Sequence, residues 1–122
     1  MAQMLLSIKP QYVKKIITEE KKFEYRKFRC RDDIDTIIIY ATAPVKKAIG
    51  EARLIDIIED DVESVWNKTK NFGGISRENY DTYYKKRKKA IAYQLGDITL
   101  YDKPKSLEDL GLNYTPQSFA YL

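Results

Sequence analysis

The sequence of 122 residues contains no histidine, and that absence narrows its chemistry more than any residue it has. Ser-His-Asp and Cys-His nucleophile activation are excluded, as is every zinc site that includes histidine. Any catalysis must run on lysine, carboxylates, tyrosine or hydroxyl groups. Cysteine is nearly absent as well: Cys30, between Arg29 and Arg31, stands alone, so no internal disulfide can form and a reducing compartment fits. Its arginine neighbours favour a thiolate, but a lone cysteine near a turn is ordinarily inert, and the inert reading is preferred. No apolar run approaches the roughly 20 residues of a membrane span. The first seven residues have neither a basic n-region nor a long apolar stretch, so they do not read as a signal peptide. The expectation is a cytoplasmic protein with no membrane contact.

What is present is charge. Charged residues make up 33% of the chain, with a net charge of +4 and a pI near 9.0, a balance that favours anionic partners. The length is that of one compact domain, so a single domain over residues 1–122 without a linker is expected.

Leu5 to Lys9 reads as a first strand, and Pro10 opens a helix to about Thr18, with Tyr12, Val13, Ile16 and Ile17 at helical spacing. Charged residues 19–22 end it, Phe23 to Phe28 continues as a second strand, and 29–35 form a polar turn. The β-branched run Thr36 to Thr42 has the continuous apolarity of a strand buried on both faces. Pro44 breaks it, and Lys47 to Ile58 returns as a hairpin partner, with Gly50 a bend or a close backbone approach. Asp60 and Glu63 have capping-box spacing ahead of a helical stripe at Val62, Val65, Trp66 and Thr69, which Gly73 and Gly74 stop. Trp66 reads as that helix's core anchor. Ser76 opens another helix, whose Tyr80, Tyr83 and Tyr84 share a face before the basic run Lys85 to Lys89. Ala90 to Leu95, a turn at Gly96 and Asp97, and Ile98 to Tyr101 read as a second hairpin. A helical turn over 106–111 and a last strand over 117–122, whose Phe119 and Tyr121 close the barrel, complete the chain. Together these predict an α+β fold in which five or six mostly antiparallel strands curl into a small β-barrel with helices packed at its side.

The densest chemistry lies in Glu19-Glu20-Lys21-Lys22-Phe23-Glu24-Tyr25-Arg26-Lys27. Strand alternation puts Phe23 and Tyr25 on one face and Lys22, Glu24 and Arg26 on the other, with Lys21 at the start. Arg26 has a planar fork suited to a phosphate or a base edge, and Glu24 either pairs with it or accepts from a base amino group. From periodicity alone, an ordinary ion pair on a strand is preferred. Lys21 becomes a base if a cleft desolvates it and lowers its pKa.

Lys21-Lys22-Phe23-Glu24-Tyr25-Arg26 fits the pattern G-x-K-x-x-E-x-R after its first position. With Leu6-Ser7-Ile8-Lys9-Pro10, Tyr40-Ala41-Thr42-Ala43-Pro44-Val45, Gly50-Glu51 and Pro116-Gln117-Ser118-Phe119, it resembles the activating signal cointegrator homology (ASCH) domain, a PUA-like fold. The pattern's glycine is Glu19 here. The resemblance implies a barrel with a cleft between barrel and helices, lined by the motif's lysine, glutamate and arginine, with RNA as the chief ligand of the family. It places Lys9, Ser7, Tyr40 and Thr42 near that cleft, with Gln117 and Ser118 approaching it. A small amidohydrolase similar to ASCH proteins removes an acetyl group from a modified cytidine. Lys21 matches its lysine, but Glu24 stands where it has a threonine, so the hydroxyl is gone.

The leading expectation is an RNA- or nucleotide-binding protein whose basic cleft uses Lys9, Lys21, Glu24, Arg26, Tyr40, Thr42, Gln117 and Ser118, with no cofactor or metal implied. The alternative is a small hydrolase acting on a modified nucleoside or RNA, an amidohydrolase or ribonuclease, with Lys21 and Glu24 as base and acid. A regulatory module that holds an unrelated anion in the same cleft is a third possibility. Glu51 is a weaker candidate for a second carboxylate in the cleft. Lys85 to Lys89 read as a solvated helix end that adds long-range attraction for phosphates, with Tyr83, Tyr84 and Tyr93 as stacking candidates that are more often packing residues. Asp56, Glu59, Asp60, Asp61 and Glu63 read as caps and first-turn charges rather than as a magnesium site.

Overall fold

In chain order the elements are strand β1 (Ala2–Ile8), helix α1 (Pro10–Ile17), β2 (Phe23–Arg26), β3 (Ile34–Ala41), β4 (Lys47–Asp61), α2 (Val62–Thr69), α3 (Arg77–Tyr83), β5 (Lys89–Lys105) and β6 (Phe119–Tyr121). They are those of a computed structural model, which describes residues 2–122. The strands form one sheet in the order β2-β5-β4-β3-β1-β6, parallel between β1 and β3 and antiparallel elsewhere. It curls into a half-barrel accompanied by three helices, an α+β architecture. No helix among the described residues is long and apolar enough to cross a membrane.

The apolar run of β3 is buried on both faces, as its composition requires. Ile37, Ile39 and Ala41 pack with Met4, Leu6 and Ile8 of β1 against Val13 and Ile16 of α1. Ile38 and Tyr40 pack with Leu5 and Ala48 on the opposite face, beneath Leu107, Leu110 and Leu112. A third cluster joins Phe23 and Tyr25 of β2 to Val65 of α2 and Tyr80 and Tyr84 near α3. Tyr80 is its hub, with ring centroids 5.1 Å from Tyr25, 4.9 Å from Trp66 and 4.9 Å from Tyr84. Such pairs contribute about 0.5–1.5 kcal/mol each beyond area burial.

The turn expected at Gly96 and Asp97 does not form. β5 runs unbroken from Lys89 to Lys105 and pairs with β4 along that length, and register shifts between Ala52 and Leu54 and between Leu54 and Asp56 take up the bend. A glycine inside a strand pattern marks a bend as readily as a turn, and alternation does not distinguish the two. Gly50 is the close approach that was expected: a Cβ there would lie 2.5 Å from the Thr99 carbonyl oxygen. The cap of α2 falls one residue later than the spacing suggested. Asp61 accepts from the Ser64 amide at 2.8 Å, while Asp60 takes the Lys68 ammonium at 3.0 Å and Glu63 takes Arg77 at 3.0 Å.

Arg26 ties the edge strand β2 to Ser7 of β1 and to Ser118, the residue just before the other edge strand, β6. Its Nη2 donates to the Ser7 carbonyl at 2.8 Å, and Nη1 donates to Ser118 Oγ at 3.2 Å. Behind β2, the Tyr84 hydroxyl donates to the Arg26 carbonyl at 2.8 Å and the Tyr93 hydroxyl to the Phe28 carbonyl at 2.7 Å. An edge strand leaves carbonyls unpaired, and buried tyrosines supply the missing donors here.

Glu19, where the family pattern has glycine, sits at φ 66°, in the left-handed region. That conformation costs a non-glycine residue about 1–2 kcal/mol, against the roughly 0.5–1 kcal/mol of entropy that glycine loses on folding. Glu19→Gly should therefore leave the urea-unfolding free energy unchanged or raise it by up to about 1 kcal/mol; a loss of that size would contradict the assignment. Arg26→Met should lower it by about 1.5–3 kcal/mol, the value of hydrogen bonds from a charged donor. It should also speed amide exchange in β6, and Arg26→Lys should not restore protection because it lacks the fork.

Candidate functional site

A cleft of about 850 Å³ opens between the sheet and helices α1 and α3, and Lys21, Glu24 and Arg26 lie in its lining. The alternating strand puts Glu24 and Arg26 on one face, and the chain entering β2 brings Lys21 to them. All three are buried, with 2%, 6% and 9% of their surface exposed. The Glu24 carboxylate lies between two cations, Oε1 3.9 Å from Lys21 Nζ and Oε2 3.9 Å from Arg26 Nη2. These separations are too long for hydrogen bonds, so the attraction is purely electrostatic. Glu24 Oε2 and Arg26 Nε have no hydrogen-bond partner among the described residues, which leaves unmet polar capacity beside the cleft.

Lys21 is seated by the glycine pair that follows α2. Its Nζ donates to the Gly73 carbonyl at 2.6 Å, and Lys15 Nζ donates to the Gly74 carbonyl at 3.2 Å. Neither glycine can carry a side chain. A Cβ on Gly73 would collide with the Tyr25 hydroxyl, and one on Gly74, at φ +62°, would lie 2.6 Å from Lys21 Cβ. Tyr25 is held in turn by a 2.7 Å hydrogen bond to Thr69 Oγ1. The Lys21 ammonium also faces the rings of Tyr12 and Tyr25, at 5.2 and 4.9 Å. Burial is the main force holding its pKa below the ordinary 10.5; Glu24 opposes that shift, while Arg26 and Lys15 add to it.

Of the residues singled out from sequence, Ser7, Lys9, Lys21, Glu24, Arg26, Thr42, Gln117 and Ser118 are gathered around this cleft. Tyr40 is not. Alternation turns it to the far face of the sheet, where it packs with Leu5, Ile38 and Ala48, whereas Thr42 escapes the same parity because β3 ends at Ala41. Lys22, placed by parity beside Glu24 and Arg26, lies over the Phe72 ring at 4.8 Å, because β2 starts only at Phe23. Glu51 sits near Tyr101, where burial first and Glu51 second push the phenol up to about 12. Tyr84 and Tyr93 are buried and bonded to carbonyls, so they offer no ring to a base, while Tyr83 does line the cleft. Cys30 is buried beneath Tyr93, and burial pushes its thiol pKa up, which suits an inert role.

Sequence reasoning missed Tyr12, Lys27, Phe28 and Asn79, which also line the cleft. Asn79 and Tyr83 lie four residues apart on α3, a polar stripe beside the buried Tyr80 and Tyr84 that helical spacing could have exposed. Tyr12 was absorbed into the apolar stripe of α1, yet its ring faces Lys21.

Several known proteins are similar to this chain. The crystal structure of the ASCH protein from Zymomonas mobilis superposes with a TM-score of 0.88 at 31% identity, covering 98% of this chain and 87% of that one. An ASCH domain-containing ribonuclease of Zymomonas mobilis subsp. mobilis is 32% identical over 128 residues, spanning 98% of this chain and 84% of the relative. A stretch of the ATP synthase subunit alpha of Ureaplasma parvum is 29% identical over 120 residues, although this chain spans only 15% of that protein's length. Residues 2–111 match the family described as a domain of unknown function, DUF365. The chain belongs to that family and, by its likeness to the Zymomonas proteins, to the ASCH domain proteins.

Proposed function

We propose that the cleft binds single-stranded RNA and that the chain cleaves it. One arrangement carries this assignment: a buried carboxylate between two buried cations beside a cleft, in a chain 32% identical to a protein named as a ribonuclease. Lys9 and Lys27 at the lining attract the phosphate backbone, and the rings of Tyr12 and Tyr83 give an unstacked base a surface. Burial keeps the Tyr83 hydroxyl above its ordinary pKa of 10.0, so it serves as a hydrogen-bond donor rather than a phenolate.

With no histidine available, the proton transfers fall to Glu24 and Lys21. Glu24 takes the proton of a ribose 2′-hydroxyl as the 2′-oxygen attacks the adjacent phosphorus. The bond to the 5′-oxygen breaks, giving a 2′,3′-cyclic phosphate. Lys21 gives its proton to the leaving 5′-oxygen, a transfer eased by the lowered pKa of its ammonium. Arg26 is a positioning residue, since its fork is engaged by Ser7 and Ser118. Deacetylation of a modified cytidine has less support, because Glu24 replaces the hydroxyl that such a site uses.

Incubation with unstructured RNA should release products with cyclic phosphate ends. Lys21→Met should lower kcat by about 100-fold or more, the contribution of a positioned acid. The variant should still fold, because the Glu24–Arg26 pair left behind carries no net charge. An unchanged rate in Lys21→Met would remove lysine from the chemistry, and RNA binding without products would leave a binding module. In wild type the rate should fall as pH rises through the lowered Lys21 pKa, below 10.5, because the ammonium form is lost. A residual Lys21→Met rate that kept this descending limb would refute the role of Lys21.

A further inference from the structure

Phe28 is 59% exposed, and among the described residues it is the large solvent-facing apolar side chain that lines the cleft. A single exposed phenylalanine is ordinary by itself. This one is held in place, with a cation beside its ring. Its carbonyl is fixed by the buried Tyr93 hydroxyl at 2.7 Å, and the next residue but one, Cys30, donates its amide to the same hydroxyl at 2.8 Å. The ring is therefore borne on backbone anchored in the core rather than on a free loop. The Arg87 guanidinium lies 5.3 Å from the ring centroid, and Lys27 lies 4.7 Å from the Tyr83 ring, which also lines the cleft.

An aromatic face with fixed backbone and flanking cations suits a nucleobase together with its phosphate. Phe28 follows Arg26 by two positions, at most about 7 Å of extended chain. On the assignment of the cleft to RNA, the geometry points to a second nucleotide subsite at its rim. There Phe28 stacks a base of single-stranded RNA beside the nucleotide held at Lys21 and Glu24, and Arg87 and Lys27 meet the phosphates. The smallest ligand that fills both subsites is a dinucleotide. The basic run that contains Arg87 thus contributes through one residue set against an aromatic ring, rather than only as diffuse charge.

Calorimetric titration with adenosine 3′-monophosphate and with a 2′-O-methylated tetraadenylate, which cannot be cleaved, tests this. Phe28→Ala should weaken the tetranucleotide roughly 5- to 150-fold, the range for one stacked base, and leave the mononucleotide within about two-fold. Phe28→Trp should keep the tetranucleotide affinity. If Phe28→Ala binds the tetranucleotide as tightly as wild type, the subsite is refuted while RNA binding stands. Equal losses for both ligands would place Phe28 in the central site and refute a second one. If wild type binds neither ligand at low salt, the assignment of the cleft to RNA fails, and the subsite with it.

Discussion

Everything near the cleft is arranged around one buried carboxylate that two buried cations share. Taking ions out of water costs several kcal/mol each, and attraction at 3.9 Å recovers that only if the remaining donors are satisfied. The surroundings do this unevenly. Lys21 is seated on the Gly73 carbonyl and Arg26 on Ser7 and Ser118, so the two cations tie β2 and the chain entering it to different parts of the molecule. Among the described residues, Glu24 is left without a donor on Oε2, and Arg26 without an acceptor for Nε. The charge array closes the half-barrel and, in the same stroke, leaves an unsatisfied acceptor beside a cleft where a ligand can supply the missing group.

Much of the architecture was legible in the chain. Pro10 at the start of α1, Ser76 capping α3 and the doubly buried run of β3 each follow from a local rule with one outcome. What was not legible has a common cause, in that period and spacing fix faces but not where an element starts, ends or bends. Lys22 was assigned by parity to a strand that had not yet begun, and Tyr40 was grouped with Thr42 although β3 stops between them. Gly96 reads identically whether the chain turns or curls, and only the register shifts in β4 decide it. Asp60 and Asp61 are chemically equal caps, and the structure uses the second.

The candidate site was legible in its charged trio and illegible in its rim. Lys21, Glu24 and Arg26 fall within one short stretch of sequence, so alternation could find most of them. Tyr12, Asn79 and Phe28 come from separate elements, and only folding brings them to one opening. Glu19 shows how a departure from a pattern can leave the geometry intact. The backbone adopts the left-handed conformation that glycine would take and bears the strain itself.

The ten tyrosines are notable less for their rings than for where their hydroxyls end. Those of Tyr84 and Tyr93 reach from the interior to the carbonyls of Arg26 and Phe28, on the stretch of chain that forms one wall of the cleft. The precision of that wall is thus borrowed from the densest part of the molecule instead of being generated by the loop itself. Losing either hydroxyl would remove no volume from the core, yet it would blur the position of the wall. A silent-looking change in the interior would in this way be felt as a change in what the surface can hold.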